Sequence, residues 1–218
     1  MILVPVKILD GAKQRLSPLL DAEERRALAV AMMEDVLGTL ASWDARPPVA
    51  VVTSDSQAAS LAHRYGFEII ADPHNRSETD AIDLATRVAL ARGWTSTLVI
   101  PADIPLITAG ELQSIVAAAP DEGTVLVPAA DGRGTNAVLR RPAALFPLRF
   151  GNDSFLPHRR SAESTGKPVL ILDLPGIALD VDRPADLGEL LTRAGDRRSH
   201  RLVRAWGIAE RLEAARIA

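Results

Sequence analysis

The stretch TLVIPADIPLITAGEL, residues 97–112, contains the pattern that decides the fold. Residues 97–100 form a short apolar run typical of a buried strand, and Pro101 marks its end. Thr108 and Glu111 have the hydroxyl-x-x-carboxylate spacing of a capping box, which predicts a helix that continues to about Ala119. A strand, a short loop and a helix in this order form the repeating unit of parallel sheets.

The same alternation extends in both directions along the chain. Further strands are predicted at 1–6, 49–53, 67–70, 124–128, 136–140 and 169–173. Helices are predicted from Ala22 to about Ala41 and at 56–65, 79–92 and 184–191, whereas residues 141–167 show no clear period. Because the strands are almost continuously apolar, we expect a single α/β domain with a mostly parallel sheet covered by helices.

The composition excludes several classes of protein and site. The 218 residues include no cysteine, which excludes disulfides, thiolate zinc sites and iron–sulfur clusters. None of the four histidines has the H-E-x-x-H spacing, so a metal ion is expected to be a hard cation held by carboxylates. No apolar run approaches the length of a membrane span and no targeting segment is present, so we expect a cytoplasmic protein without a membrane partner.

The positive charge is concentrated at the C-terminus. Residues 192–218 carry seven arginines against three carboxylates, although the net charge of the chain is −3. We interpret this segment as a helical extension of the domain formed by residues 1–191, with Val203, Trp206 and Leu212 facing inward. The alternative is a surface for nucleic acid or an acidic protein. With only eight aromatic residues in the chain, base stacking has little support, and no nucleic-acid partner is expected.

Ligands of open α/β sheets bind outside the carboxyl ends of the strands. We therefore expect the ligand site to be formed by the loops that follow the predicted strands, at 7–16, 53–56, 71–80, 101–107 and 129–135. Asp103 follows the strand at 97–100, where a carboxylate can hold Mg²⁺ over a nucleotide phosphate. Asp182 lies between an extended segment and the helix at 184–191, and the two carboxylates can converge on one metal ion. The alternatives are a turn residue at Asp103 and a helix N-cap at Asp182.

Three further segments have the chemistry of anion sites. Lys13 and Arg15, in the loop after the first strand, can hold a triphosphate or belong to an ordinary basic surface loop. Thr135 follows two glycines in a G-x-G-x-x-A match, but strand-like residues follow it, so we expect an anion loop rather than a dinucleotide fingerprint. Gly151 and Ser154 can bind an anion through backbone amides and a hydroxyl group, or form a turn before a Ser-capped helix.

These segments together resemble a known family. The motifs are MILVPVKxLxxAKxRL at 1–16, PADIPL at 101–106, GTN at 134–136, FGxxSFxxH at 150–158 and DVDxPxDL at 180–187. Their order over residues 1–191 resembles the guanylyltransferases of coenzyme F420 biosynthesis, which activate 2-phospho-L-lactate or phosphoenolpyruvate with GTP. The resemblance implies a three-layer α/β/α, Rossmann-like nucleotidyltransferase fold.

The resemblance also implies roles for individual residues. Asp103 and Asp182 match the metal ligands, with Mg²⁺ as the expected cofactor, and Asp103 and Lys13 match the catalytic residues. The expected binding residues are Thr135, Gly151 and Ser154 for the phosphorylated acid, and Lys7, Lys13 and Arg15 for the nucleotide.

The implied reaction is metal-assisted nucleotidyl transfer. A phosphate oxygen of the acceptor attacks the α-phosphorus of GTP and pyrophosphate leaves, while Mg²⁺, Lys13 and Arg15 offset the repulsion between the two polyanions. The Arg- and Ala-rich composition is typical of bacterial proteins, and this favours phosphoenolpyruvate over 2-phospho-L-lactate as the acceptor. A related transferase acting on 3-phosphoglycerate or a sugar phosphate, and a non-catalytic GTP-binding module, remain alternatives. The sequence identifies no residue that reads the guanine base, and it leaves a homodimer open.

Overall fold

The computed structural model describes residues 1–217, with side chains to residue 215, and seven strands lie within this part of the chain. They are β1 (Ile2–Pro5), β2 (Val49–Thr53), β3 (Glu68–Ala71), β4 (Thr97–Val99), β5 (Gly123–Pro128), β6 (Thr135–Arg141) and β7 (Val169–Ile171). All seven positions match the predicted strands to within a few residues. Most strand residues are buried, because helices cover the sheet on both faces.

The five helices with predicted start signals begin within one residue of them, whereas α6 was not predicted. They are α1 (Ala22–Ser42), α2 (Ser56–Arg64), α3 (Glu78–Ala91), α4 (Ala109–Ala118), α5 (Phe155–Glu163), α6 (Pro175–Ala178), α7 (Pro184–Thr192), α8 (Arg198–Ala205) and α9 (Ile208–Ile217). The capping boxes of α1 and α4 form as expected, with Asp21 and Thr108 as the N-caps. Helix α5 lies in the segment for which the sequence showed no period.

The sheet has the order β3-β2-β1-β4-β6-β5-β7. Strand β6 is antiparallel to its neighbours β4 and β5, and the other pairings are parallel, so the prediction of a mostly parallel sheet is confirmed. Because β6 runs in reverse, its first residue lies at the same edge as the last residues of β1, β4 and β5. The loops after these strands and the β5–β6 turn therefore surround one cleft.

The core has two layers, one on each side of the sheet. Successive residues of β1 alternate between them: Ile2 and Val4 pack against α1 and α4, whereas Leu3 packs against α3 and α5. This alternation gives the three-layer α/β/α arrangement.

The C-terminal segment packs onto the domain rather than extending into solvent. Val203 and Ile208 are fully buried with residues of α1 and α7, and Trp206 and Leu212 pack against the same cluster. The prediction that these residues face inward is correct, but the segment forms two helices instead of one, with Gly207 between them in the left-handed region at φ 60°. Within residues 1–217, no helix has the length and apolarity needed to cross a membrane.

Candidate active site

Two cavities open at the cleft edge of the sheet and share part of their walls. The larger cavity, of about 350 Å³, lies beside the β5–β6 turn and the start of α5. The smaller cavity, of about 310 Å³, lies beside the loop after β1 and the middle of α1. Asp103, Asp182 and Glu78 line both cavities. These three carboxylates therefore mark the place where ligands in the two cavities would meet.

The ammonium group of Lys13 lies between two of these carboxylates. Its Nζ donates to Asp103 Oδ2 and to Asp182 Oδ1, both at 2.6 Å. Burial opposes the charge of Lys13, but the two carboxylates outweigh this effect and hold its pKa above the ordinary value. Burial likewise acts to raise the pKa of Asp182, and the nearby ammonium group outweighs it and lowers that pKa.

The backbone fixes this arrangement from three separate segments. Lys13 has a left-handed conformation, φ 55° and ψ 40°, immediately before a short 3-10 helix. The N–H of Val181 donates to the carbonyl oxygen of Asp103 at 3.0 Å, which joins the segments that carry the two carboxylates. The alternative role of Asp182 as an N-cap is wrong, because Arg183 is the N-cap residue of α7 and the carboxylate of Asp182 accepts from Lys13 instead.

The donor set at this point fits a hard divalent cation. Among the described residues, no group of three histidine or carboxylate side chains has metal-binding spacing. Mg²⁺ does not need one, because it is commonly held by one or two carboxylates together with water and substrate phosphates. Asp103 and Asp182 already converge on one positive charge, so the same two groups can hold Mg²⁺.

Glu78 is a site residue that the sequence reasoning missed. It is half-buried in the first turn of α3, where Ser77 is the N-cap. Burial, followed by the negative charge of Asp103, raises the pKa of Glu78 to about 7. Glu78 could have been selected from the sequence because it lies in loop 71–80, one of the five loops predicted at the carboxyl ends of strands. Asp180 is a second carboxylate whose pKa is raised by burial. Its Oδ1 accepts a hydrogen bond from Asn136 Nδ2 at 3.0 Å.

One wall of the larger cavity carries two hydroxyl groups and a glycine with a positive φ angle. Thr135 Oγ1 and Ser154 Oγ are 3.2 Å apart, and both side chains are almost fully buried. Ser154 is the N-cap residue of α5, but its hydroxyl makes no cap hydrogen bond. Gly151 has φ 136°, and a side chain there would meet nothing within 4 Å, so the conformation rather than space favours glycine.

The remaining basic residues flank the carboxylates. Lys7 Nζ donates to the carbonyl oxygen of Asn75 at 3.2 Å and lines the smaller cavity. Arg15 Nη1 lies 3.6 Å from Asp182 Oδ2, and its Nη2 donates to Asn152 Oδ1 at 2.9 Å. The guanidinium group of Arg15 therefore spans the cleft.

The structure brings every residue predicted for the site to these two cavities. Lys7 and Lys13 line the smaller cavity, Asp103 and Asp182 line both, and the larger cavity is also lined by Arg15, Thr135, Gly151 and Ser154. The larger cavity contains two more arginines, Arg133 and Arg183, that the sequence reasoning did not select.

The chain is similar to proteins of one enzyme family. A family model described as "Guanylyl transferase CofC like" matches residues 1–216. A phosphoenolpyruvate guanylyltransferase of Sphaerobacter thermophilus is 37% identical over 191 residues, covering 88% of this chain and 92% of the relative. A 2-phospho-L-lactate guanylyltransferase of Methanothermobacter thermautotrophicus is 34% identical over 189 residues, covering 87% and 82%.

A solved structure shares the fold. A protein of Desulfovibrio desulfuricans G20, assigned as a nucleotide-diphospho-sugar transferase, superposes with a TM-score of 0.78 and 19% identity, covering 98% of this chain and 96% of that chain. At this identity the likeness concerns the fold alone.

Proposed function

The chain belongs to the family of CofC-like guanylyl transferases, and on this premise we propose that it transfers GMP from GTP to the phosphate of phosphoenolpyruvate or 2-phospho-L-lactate. Pyrophosphate is the second product, and coenzyme F420 biosynthesis is the pathway. The observation that carries the proposal is the pair of cavities that meet at Asp103 and Asp182. A nucleotide and an acceptor bound in the two cavities have their phosphates at the same carboxylates.

The chemistry of the walls supports a different substrate in each cavity. The smaller cavity combines Lys7 and Lys13 with the exposed apolar side chain of Ile8 and with Ala12, which suits a nucleotide with a flat base and a charged tail. The larger cavity presents hydroxyls, arginines and an amide-rich turn. These groups suit a small acid that carries a phosphate and a carboxylate.

The reaction needs charge neutralisation more than proton transfer. A phosphate oxygen of the acceptor forms a bond to the α-phosphorus of GTP, the bond from that phosphorus to the bridging oxygen breaks, and pyrophosphate leaves with the electron pair. The acceptor phosphate is already ionised at neutral pH, so no general base is required. Lys13 and Arg15 lie where they can offset the repulsion between the two polyanions. Mg²⁺ held by Asp103 and Asp182 would supply further positive charge to the phosphates of GTP.

The test is a coupled assay of pyrophosphate release. The full-length chain is mixed with MgCl₂, one nucleotide and one acceptor: GTP, ATP or CTP, with phosphoenolpyruvate, 2-phospho-L-lactate or 3-phosphoglycerate. We expect release with GTP and one of the first two acids, and mass spectrometry of the product identifies the guanylylated acid. A double variant, Asp103→Asn with Asp182→Asn, controls for contaminating activity.

Other outcomes lead to other functions. Release with GTP and only 3-phosphoglycerate, or with another nucleotide, would replace the proposed substrates with those of a related transferase. Binding of GTP without release in the presence of any acceptor would overturn the catalytic proposal in favour of a GTP-binding module.

A further inference from the structure

His158 is a fully buried residue of α5 that the proposed reaction does not use. It lies one helical turn after Ser154, behind the hydroxyl wall of the larger cavity. Its Nε2 accepts the backbone N–H of Arg149 at 2.8 Å, and its ring packs edge-on against Phe150, with the two ring centroids 5.0 Å apart. The ring is therefore held from one side by the segment that leads into Gly151.

This contact determines which ring nitrogen carries the proton. Burial, with a smaller contribution from the charge of Arg140, lowers the pKa of His158 to about 4, so the ring is neutral near pH 7. A nitrogen that accepts a hydrogen bond carries no hydrogen, so the hydrogen of the neutral ring lies on Nδ1. The contact between Nδ1 and Thr135 Oγ1, at 3.0 Å, then has the histidine as the donor.

The direction of this hydrogen bond sets what the hydroxyl wall offers to a ligand. Thr135 Oγ1 accepts from His158, and Thr135 and Ser154 share one hydrogen bond at 3.2 Å, which uses one of their two hydroxyl hydrogens. The second hydroxyl hydrogen is left over for the cavity that both residues line. With the opposite tautomer, Thr135 would donate to the ring, Ser154 would donate to Thr135, and the wall would offer only lone pairs.

We propose that His158 is a positioning residue that makes the Thr135–Ser154 pair a hydrogen-bond donor toward the anionic group of the acceptor. The inference rests on the proposed function for the identity of that acceptor. A wall that donates favours a phosphate or carboxylate oxygen, whereas a wall of lone pairs repels it. A histidine in this position thus contributes to acceptor binding without touching the acceptor.

Two amide substitutions separate the two hydrogen bonds of the ring. In His158→Gln, the longer side chain brings an amide oxygen to the place of Nε2, which keeps the contact with Arg149 and removes the donor to Thr135. In His158→Asn, the shorter side chain brings an amide N–H to the place of Nδ1, which keeps the donor and removes the acceptor for Arg149. His200→Gln is the control, because His200 is also fully buried but lies in α8, outside both cavities.

The measurements are the KM values for acceptor and GTP, the acceptor dissociation constant by calorimetry with phosphoenolpyruvate and 2-phospho-L-lactate, and the Tm. In His158→Gln both hydroxyl hydrogens remain, but no donor fixes their direction, so we expect the acceptor KM and dissociation constant to rise by about 3- to 10-fold, the contribution of one ordinary hydrogen bond. We expect the GTP KM to be unchanged. In His158→Asn, we expect acceptor binding to stay within about twofold of the wild type, although the Tm falls because the N–H of Arg149 loses its partner.

A double-variant cycle with Thr135→Val completes the test. Without the hydroxyl of Thr135, the change of His158 to Gln should have no further effect on acceptor binding. Equal effects in the presence and absence of that hydroxyl, or acceptor affinities that follow Tm across the three histidine variants, would overturn the proposal and leave His158 a structural residue.

The acceptor dissociation constant keeps this inference distinct from the proposed function. If no acceptor supports pyrophosphate release but phosphoenolpyruvate binds, the transfer reaction is wrong and the role of His158 is still measured from the binding constants. If neither phosphorylated acid binds to the wild-type chain, the role of His158 is overturned as well.

Discussion

Replacing Lys13 with methionine should make the stability of this chain depend strongly on Mg²⁺. Methionine keeps an unbranched side chain and removes the ammonium group that lies 2.6 Å from both Asp103 and Asp182. The two carboxylates then repel each other without a cation between them. A divalent ion bound to both carboxylates would remove this repulsion, and in the variant it would do so without competition from Lys13.

The magnitude follows from the burial of the three groups. Removing one partner of a buried ion pair costs about 3–5 kcal/mol. Lys13 has a side-chain exposure of 9%, but those of Asp103 and Asp182 are 30% and 37%, so water compensates for part of the loss. We therefore expect a loss of about 2 kcal/mol, which lowers the Tm of a domain of this size by about 4–8 °C.

The assay is thermal unfolding of the wild type and the variant, first in EDTA and then over a series of MgCl₂ concentrations. We expect Mg²⁺ to recover most of the lost Tm in Lys13→Met and to raise the Tm of the wild type by much less. Lys167→Met is the control, because Lys167 forms an exposed ion pair with Glu122 outside both cavities. It should change the Tm by less than about 2 °C without changing the response to Mg²⁺.

Two results would refute the reasoning. Equal Mg²⁺-dependent shifts in the variant and the wild type would show that the metal and Lys13 do not share the same carboxylates. An unchanged Tm in EDTA would show that solvent already compensates the two charges, and that the 2.6 Å contacts contribute little to stability.

Further predictions concern the other parts of the site and the C-terminal helices. Asp103→Asn should lower turnover by at least about 100-fold with an unchanged circular dichroism spectrum, and near-normal activity would contradict its role as a metal ligand. Ser154→Ala should raise the acceptor KM more than the GTP KM, whereas the reverse pattern would assign that wall to the nucleotide. Because the pKa of Glu78 is raised to about 7, the folded state binds more protons than the unfolded state from about pH 4.5 to 7, and this group lowers stability as the pH rises through that range. Urea unfolding should therefore show that the free energy of unfolding of Glu78→Gln, relative to the wild type, rises by about 1 kcal/mol between pH 5 and pH 8. A difference between the two proteins that does not change with pH would contradict the raised pKa. Deleting residues 193–218 should destabilise the domain by at least about 3 kcal/mol, because α8 and α9 each bury an apolar side chain completely, and a soluble variant with an unchanged Tm would contradict this.

The positions of the strands and of most helices could be predicted from the sequence because each depends on neighbouring residues. The strand runs are apolar on both faces, and capping boxes mark the starts of α1 and α4. Helix α5 could not be predicted in the same way. Its inward face consists of Phe155, His158 and Ala162. Only Phe155 is strongly apolar, so the hydrophobic residues do not recur with the period of a helix. The reversed direction of β6 was also hidden, because an apolar run contains no information about strand direction.

The candidate site shows the same division between local and long-range information. Asp103 and Asp182 could be selected because each follows an extended segment at a predictable edge of the sheet. Lys13 contacts both carboxylates, although it lies 90 residues before Asp103 and 169 residues before Asp182. A contact over such a distance in sequence cannot be predicted from a local pattern. Glu78 was missed, and His158 was part of the FGxxSFxxH motif without a role of its own, because their environments are created by residues from other elements, which pack around them only in the folded chain.

The single reversed strand has a consequence for how such proteins can diversify. Strands β3, β2, β1 and β4 come from residues 1–99, and β6, β5 and β7 come from residues 123–171, so the two halves of the sheet are encoded by consecutive stretches of the gene. They join at the β4–β6 pair, where Thr97, Leu98 and Val99 face Arg140, Leu139 and Val138. A genetic crossover within α4 exchanges most of the larger cavity and leaves most of the smaller one intact. With the substrates in the two cavities as we propose, recombination between relatives would change the acid that is activated while the nucleotide that activates it stays the same.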